Sequence, residues 1–128
     1  MKRTKKPPPT ARLTHLDAQG AARMVDVGEK AVTRRRAVAE AVISLSHATL
    51  RVIASGKLPK GDLLPVVRLA AIQGAKEAAR LVPLAHPIRL SHVAVRVEPT
   101  RGGYRIEVEV AAEEKTGVEI EAITSAAL

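Results

Sequence analysis

Three short stretches of this 128-residue sequence hold polar side chains that no structural pattern asks for. They are Lys60 in PKGD, His86 in LAHP, and Lys115 with Glu119 and Glu121 in EKTGVEIEA. Pro87 restrains His86 to an extended backbone and so fixes where its ring points. A ring that titrates near neutral pH can shuttle a proton or donate to a phosphate. Lys60 precedes Gly61 and a helix start, where backbone N–H groups and the helix dipole add to its charge, so the chemistry expected there is anion binding. Glu119 and Glu121 are two apart, about 200° around a helix at roughly 100° per residue. They cannot both simply face water, and one should meet a neighbour or a pocket. Of the run Arg34-Arg35-Arg36, one arginine points inward if the segment is a strand.

Each of these residues also has a plainer reading. Lys60 would be a solvated loop lysine, His86 a half-buried ring bonded to a carbonyl, and the glutamates one solvated residue and one salt-bridged residue. His92 reads as a strand residue, and His47 as a helix-start residue without an implied partner. No two histidines stand four apart and no H-E-x-x-H occurs, so no metal site is expected.

Composition narrows the possible partners. The net charge is +8, with no cysteine, one tyrosine and no tryptophan or phenylalanine. The basic balance calls for an anionic partner, but the aliphatic composition lacks the aromatic platforms that usually stack nucleobases. Nucleic acid is therefore the weaker reading. Without cysteine there is no disulfide framework and no thiolate metal site. Residues 1–12 read as a disordered, basic, proline-rich tail, since MKRTKKPPPT carries four of the positive charges and no acid. No apolar stretch approaches the length of a membrane span or a signal h-region. The chain reads as soluble and cytoplasmic, with no membrane partner.

MVDV, residues 24–27, could be a short strand. Residues 31–46 are ambiguous, because alanine content favours helix while period two puts Ala37, Ala39, Ala41, Ile43 and Leu45 on one face. A strand is favoured because a separate helix follows, with Ser46 as N-cap and Gly56 just past its end. Asp62 caps a long helix over 63–82, with Pro65 in its first turn and Pro83 at its end. Its stripe of Leu64, Val67, Ala71, Gly74, Ala75 and Ala78 is mostly small, so a neighbour should approach closely. Residues 88–97 and 104–112 alternate and form a β-hairpin with one wet face. VEIEAITSAAL begins a helix, and the sequence is expected to end inside an element. The order strand, helix, helix, strand, strand, helix gives an α+β fold, an antiparallel sheet with helices on one face.

The ordered set RMVDVGEK, T-x-R with AEA, GKLPKGD, RLAAIQGAK, LVPLAHPIRLSHV and KTGVEIEAIT resembles the molybdenum-cofactor biosynthesis protein C family, the cyclic pyranopterin monophosphate synthases. The resemblance covers residues 13–128 as one domain. It implies a ferredoxin-like α/β plait, a homohexamer built as a trimer of dimers, and no cofactor. It also implies a lyase reaction that turns a cyclic dihydroguanosine triphosphate, (8S)-3',8-cyclo-7,8-dihydroguanosine 5'-triphosphate, into cyclic pyranopterin monophosphate and diphosphate. By the same resemblance Lys60 and His86 are catalytic. Leu84, Ala85, His86, Ile120, Glu121, Arg35, Lys76 and Lys115 bind substrate. The family usually has a cysteine where this chain has Ala85, so thiol chemistry cannot be essential here. Its Asp-x-x-Lys pair lies farther along the third helix than Leu128, so this chain is expected to be inactive or nearly so, and the C-terminal part of the fold to be missing. The rival expectations are a non-catalytic remnant of that family and a basic nucleic-acid-binding protein.

Overall fold

Apolar side chains at every second position make residues 103–114 the centre of the molecule. In the computed structural model, which describes residues 13–128, this strand lies between two others. The elements are β1 (Thr33–Ser44), α1 (His47–Ala54), α2 (Leu63–Leu81), β2 (Leu90–Thr100), β3 (Gly103–Glu114) and α3 (Glu119–Ala127). The sheet order is β1-β3-β2 and both pairings are antiparallel. The order of elements is the one expected from the sequence. The expected tail over residues 1–12 lies outside the described residues.

The inner face of β3 supplies Val108, Val110 and Ala112 to the core. Ala71 and Ala75 of α2, Ala122 of α3 and Val118 close over them. Ala37 and Ala39 of β1, and Val93 and Val95 of β2, extend this layer at half burial. Both long helices therefore lie on one face of the sheet, as in a ferredoxin-like plait. The small stripe of α2 does what its composition predicts. Ala71, Gly74, Ala75 and Ala78 are its buried residues, and Ser125 of α3 comes close enough to donate from Oγ to the Ala71 carbonyl at 2.5 Å.

The opposite face is wet and charged. Arg36 meets Glu109 with two bonds of 2.7 Å, from Nε and Nη2. Arg96 bonds Glu107, and Arg105 reaches Glu40, Glu98 and Glu107. The hydrogen bond to Arg36, together with its charge, lowers the Glu109 carboxyl below its ordinary value, while partial burial opposes the shift. Exposed pairs of this kind contribute little, because solvent screens them. They fix register more than stability.

Three local expectations can be compared with the structure. The N-caps are as read: Ser46 Oγ accepts from the Thr49 amide at 3.1 Å, and Asp62 Oδ1 from the Leu64 amide at 3.2 Å. The β2–β3 hairpin is longer than alternation alone showed, with Thr100 paired to Gly103 across Arg101-Gly102. Pro99 is tolerated because β2 is an edge strand. MVDV is not a strand. Asp26 turns its carboxylate onto the Gly28 amide at 2.8 Å, and this local turn replaces a sheet partner.

Gly103 has a packing reason. A Cβ there would run into the carbonyl oxygen of Ile43 on β1. Gly103→Ala is therefore expected to pry open the start of the β1–β3 ladder and to lower stability by about 2–3 kcal/mol, within the range for overpacking. Chemical denaturation should show an earlier midpoint with an unchanged slope. A midpoint equal to that of the wild type would refute the close approach.

Candidate functional site

β1 and β2 run in the same direction, so the sheet has two distinct ends. One end carries the start of β1, the end of β3 and the start of β2. Most of the residues singled out in the sequence collect there.

Arg35 is the inward arginine of its run, half-buried between exposed Arg34 and Arg36. It pairs with Ala112 in the ladder. Its Nε donates to the Glu114 carbonyl and its Nη2 to the Lys115 carbonyl, both at 3.4 Å. Lys115 follows β3 directly, and its Nζ donates to the Gly28 carbonyl at 2.6 Å. The Leu84-Ala85-His86 segment leaves α2 through a turn in which the Ala85 amide bonds the Val82 carbonyl at 3.1 Å. All three residues are half-buried. The segment reaches the sheet at Arg89, whose amide donates to Glu114 Oε1 at 3.3 Å. Lys76, exposed on α2, lines a hollow of about 490 Å³ with Ile72, Ile88, Leu90, Ser91, His92 and Val93, just beyond the His86 turn.

α3 begins at the same end. Glu119 is exposed and Glu121 is 3% exposed, the split expected for two glutamates on opposite sides of a helix. Burial holds the Glu121 carboxyl above its ordinary value. Its own backbone amide opposes this, and the Glu119 charge adds to it. Ile120 points outward. Gly117 leaves room for the Glu119 carboxylate, which occupies the place a Cβ there would take.

Lys60 is the exception. It is exposed in the loop before α2, where Gly61 adopts φ +92° and its amide bonds the Leu58 carbonyl at 3.1 Å. The 19 residues of α2, at 1.5 Å rise, put roughly 27 Å between its two ends. Within one chain Lys60 therefore stands at the opposite end of the molecule from His86. The larger hollow, about 640 Å³, belongs to the Lys60 end. Its lining is almost wholly apolar, from Ala41, Ile43, Leu58, Leu64, Val67, Ile106 and their neighbours, with Tyr104, Thr49 and Ser125 as the polar members. Ile43 faces this hollow, so it stays partly exposed although it lies on the inward side of β1.

Two participants were missed in the sequence. Glu114 ties Arg89 by its carboxylate and Arg35 by its carbonyl. The turn at Asp26–Gly28 is the partner of Lys115. Only the run EEK ahead of TGVEIEA hinted at Glu114. Nothing hinted at Gly28, which contributes a main-chain oxygen.

The chemistry available at this end is anion binding by Arg35, Lys76 and Lys115, with His86 and the buried Glu121 carboxyl on the segments that adjoin it. Among the described residues no three of His, Cys, Asp and Glu gather as metal ligands. No helix among them is long and apolar enough to cross a membrane.

Comparison with known proteins gives the same picture. The cyclic pyranopterin monophosphate synthase of Nostoc sp. is 48% identical over 124 residues, covering 95% of this chain and 74% of its own length. The protein of that name from Chloroflexus aurantiacus is 50% identical over 118 residues, covering 91% of this chain and 72% of its own length. The one from Methylobacterium sp. is 51% identical over 117 residues, covering 90% and 73%. A model of the MoaC family matches residues 24–128, so the match takes in both the β1 arginine and the start of α3, and the chain belongs to the MoaC family.

Proposed function

We propose that this chain is a cyclic pyranopterin monophosphate synthase of molybdenum cofactor biosynthesis, acting in the cytoplasm. Its substrate would be (8S)-3',8-cyclo-7,8-dihydroguanosine 5'-triphosphate, and its products cyclic pyranopterin monophosphate and diphosphate. The observation that carries this reading is roughly half identity over nine-tenths of the chain to proteins of that name. The gathering of Arg35, Lys76, Lys115, His86 and Glu121 at one end of the sheet supports it.

Each residue then has a role. Arg35 keeps three of its five N–H donors after its two carbonyl bonds and can grip a phosphate. Lys76, and the two remaining donors of Lys115, neutralise more of the triphosphate. His86, held by Pro87, donates to a phosphate or moves a proton. Glu121 accepts from the purine-derived amino groups, while Leu84, Ala85 and Ile120 pack against the ring system. Lys60 acts where charge moves during the reaction.

Lys60 can take that role only if it comes from another copy of the chain. The separation of Lys60 from His86 along α2 favours a site shared between subunits, within the homohexamer of three dimers that the resemblance implies. Mixing two inactive variants tests this. Lys60→Ala and His86→Ala, both made in a version that carries the family's Asp-x-x-Lys pair and refolded together, should recover up to about one quarter of wild-type sites by random pairing. Product formation from the cyclic triphosphate is the readout. No recovery, with a monomer in light scattering, would rule out the shared site. A wild-type chain that binds the substrate and never releases diphosphate would instead favour a non-catalytic member of the family.

A further inference from the structure

We infer that the turn at residues 24–30 is a wall of the substrate site, held there by the Lys115 ammonium; this rests on the reading just proposed. Neither a strand nor a helix anchors these residues to the body of the protein. Among the described residues, the hydrogen bond that ties them to it runs from Lys115 Nζ to the Gly28 carbonyl, at 2.6 Å and across 87 positions of sequence. The turn itself is shaped from within. Asp26 Oδ1 accepts from the Gly28 amide at 2.8 Å, and the Lys30 amide donates to the Val27 carbonyl at 3.1 Å. Val25 and Val27 are half-buried, while Asp26, Glu29 and Lys30 face outward.

The other end of the latch is equally fixed. The Lys115 carbonyl accepts from Arg35, and the preceding residue, Glu114, accepts from Arg35 and from the Arg89 amide. Two adjacent residues thus join three separate pieces of chain: the 24–30 turn, the start of β1 and the segment leading from His86. Lys115 is a positioning residue in this arrangement, in addition to any phosphate its free donors meet. An ammonium has three donors, so one can stay on Gly28 while the others face a ligand.

Two variants and two readouts test this. Amide exchange in Lys115→Met should speed up about three- to tenfold at Gly28 and Lys30, the two bonded amides of residues 24–30, the size expected for losing one exposed hydrogen bond. Val108 and Val110 should keep wild-type exchange, which shows that the fold is intact. Lys115→Arg should retain most of the protection. The second variant, Asp26→Ala, loosens the turn and leaves Lys115 in place. It also removes a negative charge, so charge alone would tighten the binding of inorganic triphosphate. A wall of the site predicts the opposite sign, about threefold weaker binding or more by calorimetry. Unchanged exchange at Gly28 and Lys30 in Lys115→Met would overturn the latch. Equal or tighter triphosphate binding by Asp26→Ala would overturn the wall. Failure of the wild type to bind triphosphate at all would count against the proposed function, while the exchange measurement would still judge the latch.

Discussion

In a version of the protein that carries the family's Asp-x-x-Lys pair, Lys60→Ala is expected to abolish most turnover while leaving the fold nearly untouched. Lys60 is exposed, lies outside every helix and strand, and precedes the N-cap Asp62 without taking part in the cap. Its removal should change stability by less than about 0.5 kcal/mol, as surface substitutions away from special features do. Its effect on the reaction should be much larger. A donor aimed at charge that develops in a transition state is worth about 2.7–4 kcal/mol, or roughly 10²–10³ in rate. The split between constants is informative. Loss in kcat with little change in KM places the ammonium on the moving charge, whereas loss in KM alone makes it a ground-state phosphate contact. The check is product formation from the cyclic triphosphate at saturating substrate, beside a denaturation curve. Near-normal product formation would remove Lys60 from the site.

Glu121→Gln should stabilise the protein and slow it at once. The Glu121 side chain is buried near the start of α3, and burial raises its carboxyl above the ordinary value of 4.5. Between 4.5 and that raised value the folded chain holds a proton that the unfolded chain has released. Stability therefore falls as pH rises through this window and stays lower above it. Glutamine has no such charge to bury, so the variant should lack this loss. Glu109 titrates in the opposite sense, because Arg36 lowers its pKa. That contribution is present above the ordinary carboxylate value and disappears as pH falls through the depressed one. It is common to both proteins and cancels when the wild-type curve is subtracted from the variant curve. The difference should favour the variant increasingly from about pH 4.5 upward and then level off. Activity should move the other way. Losing a charge-assisted hydrogen bond to the substrate costs roughly 1.5–3 kcal/mol, a tenfold to hundredfold fall in kcat/KM. A variant as active as the wild type would show that the buried carboxyl has a purely structural role, and one less stable near neutral pH would overturn the expected cost of burying its charge.

The parts of the molecule written in side-chain periodicity were legible before any coordinates. The alternation Tyr104, Ile106, Val108 and Val110 gave β3 its inner face, and the small stripe of α2 foretold the close approach of α3. Asp62, Ser46 and Gly56 marked helix ends because capping and its geometry depend on residue type. The twofold spacing of Glu119 and Glu121 foretold that one would be buried. What could not be read has a common physical cause. Gly28 and Arg89 take part through a main-chain oxygen and a main-chain amide, which every residue possesses, and Glu114 in part through its carbonyl. The bonds that join Lys115 to Gly28 and Arg89 to Glu114 therefore leave almost no mark on composition. MVDV misled for a related reason. Its alternation is real, with Val25 and Val27 half-buried, but strand formation needs a partner, and Asp26 met its hydrogen-bonding need locally. The distance between Lys60 and His86, by contrast, is legible, since one precedes and the other follows the long helix α2.

The lone tyrosine has a practical consequence. Tyr104 opens β3, opposite Pro99 and Ile43, and lies in the wall of the apolar hollow at the Lys60 end. With no tryptophan in the sequence, all near-ultraviolet emission of the chain comes from that one ring. Intrinsic fluorescence is thus blind to phosphate arriving at Arg35 and sensitive to whatever covers the hollow beside Leu58 and Leu64. Titrating ligand against emission, and subunit concentration against emission, would separate events at the two ends of one small protein without attaching a dye.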